Sequence, residues 1–255
     1  MFDQPANDLR TAATLRASVE IDGIGLHTGV SAPLVIAPAE AGSGIRFVRS
    51  DLSGARNSRT IPADPALVTK TQLGTVLTNA HGHFISTVEH LMAAFVMLGI
   101  TDAEVSCGGP EIPILDGSAK LFIEAIERVG VKVLPSAITP IVPKGRVMVA
   151  KGGSWAVAEP LPDDCAADIV LDVTIDFEHP SIGTQRIVIE GDRDTIRREV
   201  ADARTFTLLK DVEALRAMGL ALGGSLENAI VVNGHEVVNG DGLRFPNEFV
   251  RHKVL

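Results

Sequence analysis

The chain has 255 residues, 45% of them hydrophobic and 22% charged, with a formal net charge of −9; that much apolar material excludes a wholly disordered chain. The acidic balance argues against nucleic acid as a partner, because non-specific binding needs a basic face. Two cysteines, Cys107 and Cys165, are too few for a disulfide framework or a four-cysteine zinc site.

At about 150 residues per domain, the length predicts one or two domains. The first sixteen residues, MFDQPANDLRTAATLR, have no apolar segment behind a basic stretch, and the apolar run at residues 91–100 is too short to span a bilayer. The expectation is a cytoplasmic protein, monomeric, with no stable membrane insertion.

In chain order, Val30, Ala32, Leu34 and Ile36 alternate with Ser31, Pro33, Val35 and Ala37, which predicts a half-buried strand weakened by Pro33. Residues 45–49 and 75–78 read as short strands. Ser86-Thr87-Val88-Glu89 has the S-x-x-E form of a capping box, and a helix is predicted over 90–98 with Gly99 as its C-terminal cap. That helix is apolar nearly all round, so it belongs in the interior. A strand at 102–106, a Gly/Pro-rich turn region through Asp116-Gly117 and a helix at 118–129 follow. Pro135, Pro140 and Pro143 fall in a segment without clear period, so residues 130–144 are predicted to be a linker.

The second half restarts with strands. Ile169, Leu171, Val173 and Ile175 form one alternating face, residues 192–201 and 210–218 read as amphipathic helices, residues 229–232 as a short strand, and Pro246 opens a last helix. GGPEIPILDGSAKLF faintly echoes NGHEVVNGDGLRFPNEF: each has a turn, a short extended stretch, Asp-Gly and a helix start. The echo favours an α+β protein of two similar domains, residues 1–134 and 135–255, over one wound sheet.

Three segments bear on chemistry. In Gly23-Ile24-Gly25-Leu26-His27-Thr28-Gly29 the third glycine falls four residues after the second and a strand follows, so a dinucleotide-binding loop is excluded. What remains is a glycine-rich hairpin turn, or a compact turn that brings His27 to the edge of a site. Glu89 and His90 are either a helix cap and a satisfied core histidine, or a base beside a metal ligand. A buried imidazole without a partner costs about 1–3 kcal/mol, and a metal would be such a partner. Arg251-His252-Lys253 is either a solvated basic face, or a metal ligand followed by a cation aimed at a developing oxyanion. His81 and His83 read as turn residues and His179 as a loop residue. His235-Glu236 is not H-E-x-x-H, because residue 239 is Asn, and Asp163-Asp164 is a solvated turn.

Six motifs in order resemble one family. GIGLHTG is similar to its G-x-G-L-H-[TS]-G; residues 86–91, STVEHL, match outright; PEIPILDGS at 110–118 is similar to P-E-[IV]-P-[IV]-x-D-G-S. ARTF at 203–206, LGGS at 222–225 and FVRHK at 249–253 also match. The chain resembles the UDP-3-O-acyl-N-acetylglucosamine deacetylases, the zinc amidases of lipid A synthesis, over about residues 12–255.

The resemblance implies two α+β sandwich domains with the site between them, and UDP-3-O-acyl-N-acetylglucosamine as substrate. It implies a Zn2+ cofactor held by His90 and His252, with Glu89 as the base that activates the attacking water. Thr205 would help hold the oxyanion, Lys253 would contact substrate, and His27 would lie near the nucleotide sugar. Leu73, Gly74, Phe206 and Gly224 would line the substrate site, where relatives often have Cys in place of Gly74. An apolar passage around 206–224 would take the acyl chain.

The family pattern places its third zinc ligand, an aspartate, one position beyond Leu255, and a second aspartate and a histidine further on. A truncated form of an ordinary deacetylase is the expectation, because the last helix stops on apolar residues without a cap. A non-catalytic paralogue that binds the nucleotide sugar, and a Leu255 carboxylate standing in for the aspartate, are the alternatives.

Overall fold

The computed structural model describes residues 11–139 and 141–255. Its first half is organised by a five-stranded mixed sheet. Ala103–Cys107 lies at the centre, antiparallel to Leu34–Pro38 and parallel to Ile45–Arg49, with Val19–Ile21 and Thr60–Pro62 at the edges. The alternation at 30–36 is real but shorter than expected. Ala32, Leu34 and Ile36 are buried while Val30 is exposed, and the strand starts only after Pro33, which has no N–H to give a ladder.

Helix α1 (Glu89–Leu98) runs as predicted. It buries His90, Leu91, Ala93, Ala94, Phe95 and Met97, and Gly99 closes it in the left-handed region at φ 67°, with its N–H on the carbonyls of Phe95 and Val96. Helix α2 (Lys120–Val129) packs against α1 through Phe122, Ile123 and Ile126.

The predicted linker is not one at its start. Val131–Ala137 is a strand, paired antiparallel with Thr11–Leu15 in a sheet of two. Pro135 is tolerated there because each strand of such a pair has one free edge.

In the second half, Ile169–Phe177 and Gly183–Gly191 form a long antiparallel hairpin with an unbroken register of nine pairs. Helix α3 (Arg193–Val200) packs on it, and the Asp192 carboxylate caps α3 by accepting the Thr195 N–H at 2.8 Å. Helix α4 (Leu209–Ala217) was expected to be amphipathic, yet it buries no residue, and Leu209 and the nearby Met218 are exposed. Phe206–Leu208 pairs parallel with Ile230–Asn233, and helix α5 (Glu248–Val254) lies on the long hairpin and against α3. One buried apolar cluster runs from Leu34, Phe47 and Val105 through Phe95 and Phe122 to Ile196, Ile230 and Phe249. Among the described residues no helix is long and apolar enough to cross a membrane.

Candidate active site

Helix α1 does not begin with the predicted capping box. Its N-cap is Val88 and makes no side-chain capping bond, so Glu89 is the first helical residue, not the third. Ser86 is taken by the sheet: its hydroxyl and its N–H both donate to the Pro110 carbonyl, at 3.1 and 2.9 Å. The Glu89 carboxylate is therefore not spent on a capping bond. One oxygen, Oε1, accepts the N–H of Thr75; the other, Oε2, is buried with no hydrogen-bond partner among the described residues.

His90, on the same first turn, meets His252 of α5, which lies 162 residues away in sequence. Their Nε2 atoms are 3.1 Å apart and their ring centroids 5.3 Å. Burial lowers the pKa of His90, with the Glu89 and Asp116 carboxylates pulling it partly back. Burial, then His90 and Lys253, hold His252 well below the usual imidazole range. Burial thus favours the neutral form of both rings, the form in which an imidazole nitrogen ligates a metal. Two nitrogens each about 2.0–2.1 Å from one tetrahedral ion stand about 3.3 Å apart, close to the spacing of this pair. Among the described residues, the buried Nδ1 atoms of His252 and His27 have no hydrogen-bond partner. Among the described residues no group of three or more His, Cys, Asp or Glu side chains is placed to hold an ion.

Phe206 builds one wall, with its ring centroid 6.1 Å from that of His252 and 4.9 Å from that of Phe249. The Lys253 Nζ stands over the Phe206 ring, 5.2 Å from its centre. Thr205, one residue before, is tied by its backbone: its N–H donates to the Gly117 carbonyl and its own carbonyl accepts the Ile230 N–H, each at 2.8 Å.

His27 reaches the same place from the glycine-rich turn. Its Nε2 is 3.0 Å from the Leu73 carbonyl. Leu73 is half exposed, with φ 62°. A Cβ on Gly74 would lie 3.5 Å from Thr87 Oγ1, 3.8 Å from Glu89 Oε1 and 3.9 Å from His27 Nε2, ordinary contact distances that put this position beside the site. Gly224 sits on the loop that covers the turn: the N–H groups of Leu222 and Gly223 donate to the carbonyls of His27 and Leu26, and a Cβ on Gly224 would lie 3.7 Å from Leu26 Cδ1. The structure thus brings Glu89, His90, His252, Lys253 and Phe206 together, sets His27, Leu73 and Gly74 beside Glu89, and leaves Gly224 and Thr205 on the adjoining loops. The other histidines stay outside: the turn N–H groups of His81 and His83 donate to Asn79 Oδ1, as the turn expectation requires.

Sequence reasoning assigned no role to Glu111, Arg204 or Glu248. Each is a buried charge, between 0% and 2% exposed, and each holds a segment of the site. The available signal was a charged residue inside an apolar run, as in Pro110-Glu111-Ile112, which must find partners once buried.

A family model described as "LpxC: UDP-3-O-acyl N-acetylglycosamine deacetylase" matches residues 12–255. The chain is 46% identical over 242 residues to a UDP-3-O-acyl-N-acetylglucosamine deacetylase of Phenylobacterium zucineum (strain HLK1), covering 95% of this chain and 80% of the relative. Proteins of the same name from Myxococcus xanthus (strain DK1622) and Pasteurella multocida (strain Pm70) are 45% and 42% identical over 95% of the chain, and 74% and 77% of their own lengths are covered. The chain belongs to the UDP-3-O-acyl-N-acetylglucosamine deacetylase family.

Proposed function

We propose that the protein hydrolyses the acetamide of UDP-3-O-acyl-N-acetylglucosamine, a step of lipid A biosynthesis. The relatives' names and the family support that activity. The observation behind the mechanism is the meeting of two imidazoles, Nε2 to Nε2 at 3.1 Å, near a carboxylate with one buried, unpartnered oxygen among the described residues.

His90 and His252 would hold Zn2+, which when bound supplies a Lewis acid and an acidified water. Glu89 is fixed by the Thr75 N–H through Oε1 and keeps Oε2 to take the proton of the attacking water. The Lys253 ammonium and the Thr205 hydroxyl would stabilise charge on the carbonyl oxygen. His27, Leu73, Gly74, Phe206 and Gly224 would line the substrate site. Exposed Leu209, Met218 and Leu222 offer apolar surface to the acyl chain. A nucleotide-sugar substrate supports a cytoplasmic location, and the protein is read as a monomer.

Two α+β domains are part of the same proposal, but the boundary expected at 134/135 falls inside the strand Val131–Ala137 and moves to after residue 137. Among the described residues, strand pairing never crosses between residues 11–137 and 147–255. The sequence echo supports it too: Gly117 and Gly242 both have positive φ, 82° and 67°, and donate to the carbonyl three residues back.

The test is metal content together with deacetylation. Glu89→Gln is expected to keep zinc and lose activity by about 10²–10⁴-fold, the range for a general base; His90→Ala is expected to lose zinc. Undiminished turnover in Glu89→Gln would overturn the assignment. A module that binds the nucleotide sugar without turnover is the second reading; among the described residues no third donor side chain joins the pair. Stoichiometric binding with no zinc and no product would establish it.

A further inference from the structure

We infer that Glu111 is a positioning residue, which sets the His27 turn and the start of helix α1 at a fixed distance from each other. Its kinetic readout rests on the deacetylase reading above; its spectroscopic readout does not.

Glu111 is 1% exposed. Its carboxylate acts only as an acceptor and gathers four donors from two distant segments. Oε1 accepts the His27 N–H and the Thr87 hydroxyl, both at 2.9 Å. Oε2 accepts the Thr28 N–H and the Thr28 hydroxyl, both at 2.8 Å. Each segment leads to the site by a short path. From the turn, His27 reaches the Leu73 carbonyl. From Thr87, held in the left-handed region at φ 57°, the N–H donates to the Thr75 carbonyl at 3.0 Å, and the Thr75 N–H in turn holds Glu89. The turn is built around the carboxylate: a Cβ on Gly25 would lie 2.2 Å from Glu111 Oε2.

A buried carboxylate is costly to desolvate, and it is tolerated when every acceptor site is filled. Here the donors come from the very segments that carry His27 and Glu89, and the carboxylate itself donates to nothing. Glutamine is a poor replacement, since in either orientation its NH2 group faces a backbone N–H, of His27 or of Thr28, that can only donate. Aspartate keeps the acceptor chemistry one methylene short.

Glu111→Gln is expected to stay folded and to keep wild-type metal content. Its kcat should fall by about 10–100-fold, the scale of a misplacement near 1 Å, with Glu111→Asp recovering part of it. In a double-mutant cycle with His27→Ala the two losses should multiply only in part, because one of the two paths from Glu111 runs through His27 and the other through Thr87 to Glu89. The His27 imidazole resonances, followed by NMR at one pH, should move in Glu111→Gln. If Glu111→Gln does not fold, Thr28→Val removes a single donor and is expected to move the same resonances by less. The inference is overturned by a folded variant with unchanged His27 resonances, or by losses that multiply independently. Wild-type protein with no turnover but shifted His27 resonances in the variant would defeat the deacetylase reading alone.

Discussion

Glu111 in the first half and Glu248 in the second are both buried, and both collect donors from loops of the site, but the donors differ. Glu111 is satisfied by neutral groups, the amides of His27 and Thr28 and the hydroxyls of Thr28 and Thr87. Glu248 is satisfied mainly by a charge. Arg204 donates to it from its backbone N–H at 3.0 Å and from Nε at 2.9 Å, and the Arg244 N–H adds a bond of 2.6 Å. Arg204 also reaches Asp241 at 2.9 Å and the Gly242 carbonyl at 2.7 Å. Glu248 opens the helix that carries His252, and Arg204 precedes Thr205. One side of the site is therefore fastened by a graded set of hydrogen bonds, and the other by an ion pair that works only when whole. A buried pair is a modest source of stability, but breaking it strands a charge.

The largest effect should come from breaking the ionic side. Glu248→Ala leaves Arg204 buried without its main partner, and is expected to cost about 3–5 kcal/mol in urea unfolding. An unchanged midpoint would mean that Arg204 repairs itself through Asp241. On the neutral side, Gly25→Ala drives a Cβ to 2.4 Å from Thr28 Oγ1 and closer still to Glu111. Overpacking of that kind should cost about 1–3 kcal/mol and disturb His27 before it unfolds the protein. Thermal melts combined with His27 resonances distinguish the local from the global loss.

The smallest effect is expected outside both hubs, at the Arg49–Asp51 pair, where the guanidinium donates to Asp51 at 2.6 and 2.7 Å. Its hydrogen bond and charge hold the Asp51 carboxyl below the ordinary 3.8, against the opposing effect of burial. A lowered folded pKa means stability that is present above the ordinary value and lost as pH falls through the lowered one. Urea midpoints of wild type and Asp51→Asn should therefore differ at neutral pH and converge as the pH drops below about 4. A gap that persists in acid would show that the pair contributes through packing instead.

Much of the site could be read from sequence because its residues lie in compact local motifs. Glu89 and His90 stand at the head of an apolar run closed by Gly99, and His252 and Lys253 are adjacent on a terminal helix. The role of Glu89 could not be settled that way. The S-x-x-E pattern promised a cap, and the residue was released only because the sheet claimed Ser86. Glu111 was hidden for the same reason: its donors lie 24, 83 and 84 residues away.

What the sequence determined by itself is what short-range period and backbone chemistry encode. The apolar stripe of α1, its left-handed glycine cap, the strand Ile45–Arg49 and the motifs that place the chain in its family all belong there. Tertiary structure decided which distant segments meet. Val131–Ala137 became a strand because Thr11–Leu15 was there to pair with it, despite Pro135 and a weak pattern. His90 came to lie 3.1 Å from His252 because α5 docks beside α3, which packs on α1. Local pattern sets which face of an element is apolar, but it does not name the partner. That choice is made when burial of the whole cluster outweighs the entropy of closing the long loops between segments.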